Sequence, residues 1–119
     1  MIAKRQDTAA RYEAALHLRL LAAWRYVDDY PQALQTASML FRLYMAERVR
    51  LIGVRRKAEV NPDYRARLMP QSAAVETYAQ ALRFFLLQTC GEARTNETDV
   101  DAIIDLFEAR YWAEIGLSC

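Results

Sequence analysis

The chain has 119 residues, with 16 basic against 15 acidic side chains, a formal net charge of +1, 54% apolar residues and only three Gly and three Pro. That balance excludes a disordered chain, which needs low hydrophobicity and high net charge, and it supports one domain with a core of its own. So few turn formers also count against a β-sandwich or barrel, which needs a turn every 8–12 residues or so.

Four helices are predicted in chain order. The first spans about Thr8 to Val27, with Leu16, Leu20, Ala23, Trp24 and Val27 on one side and Arg11, Arg19, Ala22 and Arg25 on the other. It stops at Asp28–Asp29. Asp29 then caps the second helix, with Pro31 in the first turn and Gln32 completing a capping box. This helix continues to about Val54, with Leu34, Ala37, Phe41, Tyr44, Met45, Leu51 and Ile52 as its apolar face. A two-residue link between long helices predicts an antiparallel hairpin.

Residues 55–70 are polar and punctuated by Asn61–Pro62 and Met69–Pro70, and Asn61 is placed to cap a short helical turn through Arg67. The third helix is expected over Gln71–Cys90, with Val75, Tyr78, Ala79, Leu82, Phe85 and Leu86 inward and Gly91 as its stop. Thr98 and Asp101 form a second capping box, opening a fourth helix through Ile115 that Gly116 ends. The fold class is therefore all-α: a single-domain antiparallel bundle of four main helices, opening with a long helical hairpin.

Two cysteines, Cys90 and Cys119, are too few for a disulfide framework and lack metal-ligand spacing. No secretory signal pattern is visible, and the apolar stretch Ala79–Leu87, interrupted by Gln80 and Arg83, is far short of the roughly 20 residues that span a bilayer. A reducing intracellular compartment follows as the expectation, the cytoplasm first.

Leu20, Trp24, Asp28–Asp29–Tyr30 and Ala33–Leu34 resemble part of a tetratricopeptide repeat, although Ala37 and Leu40 depart from its later positions and no second copy follows. His17–Leu18–Arg19–Leu20–Leu21 with Phe41–Arg42 resembles a degenerate form of the signature of LYR proteins, small helical subunits or assembly factors of mitochondrial complexes. The matches are Arg19, Leu21 and the Phe41–Arg42 pair. The leading Leu and the Tyr of that signature are missing. The resemblance would imply a mitochondrial location, a basic surface for an acidic acyl carrier protein and an interior path for an acyl chain.

Catalytic motifs are scarce. The chain has no GxGxxG, GxxxxGK[ST], HExxH or CxxC pattern. Its one histidine, His17, lies one helical turn after Glu13. This pair reads either as a carboxylate-oriented general base or as a half-exposed ion pair beside the core. Asp101, Asp105 and Glu108 share a helix side, but a dinuclear carboxylate site also wants Glu-x-x-His from partner helices, and only His17 is available. No enzyme, metal or cofactor is expected.

Charge position is more informative than total charge. Residues 48–67 carry seven cations (Arg48, Arg50, Arg55, Arg56, Lys57, Arg65, Arg67) and two acids, net +5, whereas residues 91–119 are net −5. Arg48, Arg55, Arg56, Lys57, Arg65 and Arg67 form a candidate basic patch for phosphates or an acidic partner, or for internal pairing with the fourth helix. Cations at a helix C-terminus also meet its dipole favourably. Arg48 falls on the apolar side of helix two, where its stem either snorkels over the core or holds a partner's anion.

On the fourth helix, Val100, Ile103, Ile104, Phe107 and Tyr111 suffice for a core stripe. Asp101, Asp105, Glu108, Trp112 and Ile115 follow one another on the opposite side, apolar anchors beside an acidic rim. The functional expectation is a non-catalytic interaction module: an adaptor, chaperone, inhibitor or accessory subunit contacting another protein. A homodimer by reciprocal charge contact is a further option. Nucleic acid on the basic segment is the alternative, against which the acidic C-terminal region counts.

Overall fold

The structure, a computed structural model, describes residues 2–24, 27–89 and 97–115, with side chains over 7–24, 27–89 and 100–115. It is an all-α helical bundle of four main helices, with no strand among the described residues. These are α1 (Ile2–Ala23), α2 (Tyr30–Val60), α3 (Leu68–Thr89) and α4 (Glu97–Ile115), with a 3₁₀ segment over Pro62–Arg67. The chain divides into two compact units, one made of Met1–Tyr30 with Leu86–Cys119 and the other of Pro31–Phe85.

In the first unit α1 packs against α4, the helix farthest from it in sequence. Leu16, Leu20 and Trp24, spaced four apart, are buried from the α1 side, and Val100, Ile103 and Phe107 from α4. Each fully buried side chain of this size contributes about 1.5–3 kcal/mol relative to its exposed state.

α1 ends at Ala23, four residues before the expected Val27, and α2 begins at Tyr30. Trp24 explains the early stop. Its indole is 2% exposed, donates from Nε1 to Thr89 Oγ1 at 3.0 Å, and meets the Tyr30 ring edge-on at 5.6 Å. Val27, expected on the helix, lies beyond it, its N–H bonded to the Trp24 carbonyl at 2.9 Å.

The second unit holds most of α2, the 3₁₀ segment and α3 to Phe85. α2 starts at Tyr30, directly after the expected cap Asp29, and keeps Pro31 in its first turn. It ends at Val60, six residues later than expected. Asn61 then leaves the helix with extended backbone (φ −134°, ψ 107°), and its Oδ1 accepts from the Asp63 N–H at 3.1 Å. That cap starts the 3₁₀ turn as expected. Met69–Pro70 does not punctuate the chain, because Pro70 falls in the first turn of α3, where a missing N–H leaves no bond unmade.

Gln71, near the start of α3, donates from Nε2 to the backbone carbonyl of Glu47 at 3.0 Å and to its carboxylate at 2.6 Å. Glu47 lies thirteen residues before the end of α2, about 20 Å along the helix axis. The chain after Asn61 therefore doubles back along α2. This explains a misplaced face. Ala33, Ala37, Phe41 and Met45 are buried in one row that drifts around the helix, but beyond Glu47 burial moves to Leu51 and Ala58, about a third of a turn from Met45. Ile52, expected inside, is exposed.

α4 begins at Glu97, one residue before the Thr98 expected to cap it. The Thr98 side chain, Gly91, Gly116, Cys90 and Cys119 lie outside the described residues.

Candidate functional site

The outward side of α4 is built by its own periodicity. With Val100, Ile103, Phe107 and Ala113 buried, Asp101, Asp105, Trp112 and Ile115 face water and Glu108 is half-buried. Trp112 is 40% and Ile115 46% exposed. The Trp112 ring stands edge-on to Tyr111, centroids 5.2 Å apart, which limits its freedom without covering it. Arg110 fixes the helix from the flank: its Nε donates to Glu114 at 3.1 Å, and its Nη2 lies 3.6 Å from Glu13 of α1. The five residues singled out from the sequence thus share one side of one helix. They offer an aromatic and an aliphatic anchor with carboxylates alongside.

The basic segment is the doubled-back part of the second unit. Arg55, Arg56, Lys57, Arg65 and Arg67 are exposed. Lys57 Nζ lies 5.3 Å and Arg67 Cζ 4.8 Å from the centroid of the Tyr64 ring, so two like charges converge on one aromatic ring across the fold-back. Arg50 pairs with Glu47 within its own helix. Arg55, Arg56 and Arg65 pair with no acid among the described residues. Arg48 stands apart from this patch. It is half-buried, its guanidinium 5.4 Å from the Tyr44 centroid, with Nη1 donating to Tyr44 Oη at 3.4 Å and to Met45 Sδ at 3.7 Å. Its stem covers apolar surface and an aromatic ring receives its head.

No known family, curated protein or solved structure matches the chain. The tetratricopeptide and LYR resemblances therefore rest on their few residues alone. In the LYR-like run, Leu18 and Leu21 are among the most exposed apolar side chains of α1, while Phe41 is buried and Arg42 exposed.

His17 has a fuller environment than its sequence neighbours suggest. Its Nε2 lies 3.8 Å from Glu13, which also attracts Arg110. Its Nδ1 is 2.7 Å from the Tyr30 hydroxyl, the first residue of α2. With the ring proton on Nε2, Nδ1 accepts from Tyr30. Burial pushes the Tyr30 hydroxyl above the ordinary tyrosine range, so it holds its proton. Glu13, His17, Tyr30 and Trp24 form one polar–aromatic cluster beside the core of the first unit.

Among the described residues no group of three or more His, Cys, Asp or Glu is gathered to hold a metal ion, and no helix is long and apolar enough to cross a membrane. Sequence reasoning missed Tyr30, Tyr64 and Gln71. Tyr64 carried a signal, an aromatic between Asp63 and Arg65 and three residues before Arg67. Tyr30 and Gln71 carried none, since each acts on a residue far away in sequence.

Proposed function

We propose that the protein is a non-catalytic helical interaction module whose docking surface is the outward side of α4. The observation that carries this reading is the exposure of Trp112 and Ile115 beside Asp101, Asp105 and Glu108, on a helix whose opposite side already supplies a full core row. Tryptophan is the side chain whose covering by a partner releases most, and an acidic rim orients that partner and excludes the wrong ones. The His17 cluster supports a structural role, because its hydrogen bond closes onto a neighbouring helix start and its carboxylate is shared with an arginine.

The test is Trp112→Ala in the full chain, expressed in its source cell and compared with the native protein by co-purification and by thermal melting. The expected result is loss of the co-purifying protein with a melting temperature close to native. A variant that keeps its partner, or one whose fold collapses, would remove Trp112 from the docking surface.

A further inference from the structure

α2 carries a second exposed stripe that neither its own unit's core nor the proposed docking surface uses. Val49, Ile52, Gly53, Arg56 and Val60 recur at i, i+3, i+4, i+7 and i+11, which places them on one side of the helix. Val49, Ile52 and Val60 are 47%, 41% and 84% exposed. Gly53 makes a flat spot within the stripe, where an added Cβ would meet nothing within 4 Å. The stripe is flanked by Arg55, which like Arg56 has no acid partner among the described residues.

Resting on the reading of α4 as a docking surface, we propose that its occupant is this stripe of α2 from a second copy of the chain. The two stripes are complementary in charge and alike in make-up. One offers Arg55 and Arg56 around aliphatic groups, the other Asp105 and Glu108 leading into Trp112 and Ile115. Both extend for three to four helical turns, about 20 Å.

An antiparallel register that seats Trp112 over Gly53 brings Arg56 beside Glu108 and the cationic end of α2 toward Asp101 and Asp105. It also sets the negative end of the α2 dipole against the positive end of α4. A nucleic-acid backbone would engage the arginines but leave Val49, Ile52 and Val60 in water, so the mixed stripe favours a helix over a phosphate chain. Among acidic, apolar helices, the one in the same chain is present at equal concentration wherever the protein is made.

The test uses the purified full chain, with molar mass measured by light scattering over a range of concentration and salt. The native protein is expected to rise above monomer mass as concentration increases at low salt, and to fall back at high salt as the charge contacts are screened. The double variants R55E/R56E and D105R/E108R are each expected to stay monomeric with native circular dichroism, and an equimolar mixture of the two to associate. Gly53→Leu, whose Cβ enters open space, is expected to keep native circular dichroism and to abolish association by a salt-independent route.

A native chain that is monomeric at every concentration overturns the proposal, as does association of either charge-reversed variant alone. A monomer retained on a phosphate matrix through Arg55 and Arg56 also overturns it, in favour of a polyanion. If the chain is monomeric while Trp112→Ala still sheds a cellular partner, the self-association falls and the docking surface on α4 stands.

Discussion

At the scale of single residues, the contact between His17 and Tyr30 ties the middle of α1 to the start of α2. Replacing Tyr30 by Phe keeps the ring against Trp24 and removes only the hydroxyl, so a loss of about 0.5–1.5 kcal/mol at neutral pH is expected from chemical denaturation. The pH dependence has a definite sign. Burial raises the Tyr30 hydroxyl above its reference value of 10.0, so the folded state favours the neutral phenol. That contribution is fully present below the reference value and is lost as pH rises through the higher folded one. The native protein should lose stability across this alkaline window more steeply than Tyr30→Phe, and equal slopes would show that Tyr30 ionises as freely folded as unfolded. None of this was legible in sequence. His17 showed its neighbour Glu13 one turn away, but its hydroxyl partner stands beyond the end of the helix. Arg48, by contrast, was readable, because its place between Tyr44, Met45 and Ile52 on the wheel left its stem only the apolar side to follow.

At the scale of elements, the punctuation by Asn, Asp and Pro proved legible wherever it acts locally. Asp29 before Pro31 and Asn61 before Pro62 mark real boundaries, since a cap needs only its own next few residues. The end of α2 and the exposure of Ile52 were not legible, for one reason. The expected face from Leu34 to Ile52 assumes one unbroken stripe, whereas beyond Glu47, where the chain returns, Leu51 and Ala58 are buried and Ile52 is not. A fold-back held by Gln71 leaves no periodic trace in the helix it covers. The helix there also contains Gly53, with open space around its Cα. In the monomer, at concentrations too low for association, Gly53→Ala should therefore stabilise the protein by roughly 0.5–1 kcal/mol, because alanine loses less backbone freedom in a helix and meets no neighbour. A raised denaturation midpoint with an unchanged slope is the expected observation. A destabilised variant would mean that the flat spot is already occupied in the folded protein.

At the scale of the whole molecule, the first unit is discontinuous, with residues from both ends of the chain, and this sets which truncations it tolerates. Leu16 and Leu20 on α1 and Trp24 just after it are almost wholly buried, and the extensive helix contact of α1 is with α4. Taken alone, α1 is a helix of 22 residues with three arginines over 5–19 and no acidic residue in its first turn, and such an isolated helix is marginal in water. Ending the chain at Asn96 removes α4 and leaves that buried row without its main cover. The helical signal in circular dichroism should then fall by the share of α1 as well as that of α4, some 41 residues' worth and not 19. α2 and the body of α3 hold Ala37, Phe41, Met45 and Leu82 buried within the other unit, and their helicity should persist with a separate melting transition. A loss confined to the share of α4 would show α1 held by some other surface. Complete unfolding would show that the two units melt as one. The sequence could announce four amphipathic helices, since each displays its own period, but pairing between the first and the last is a property of the folded chain and appears in neither helix read alone.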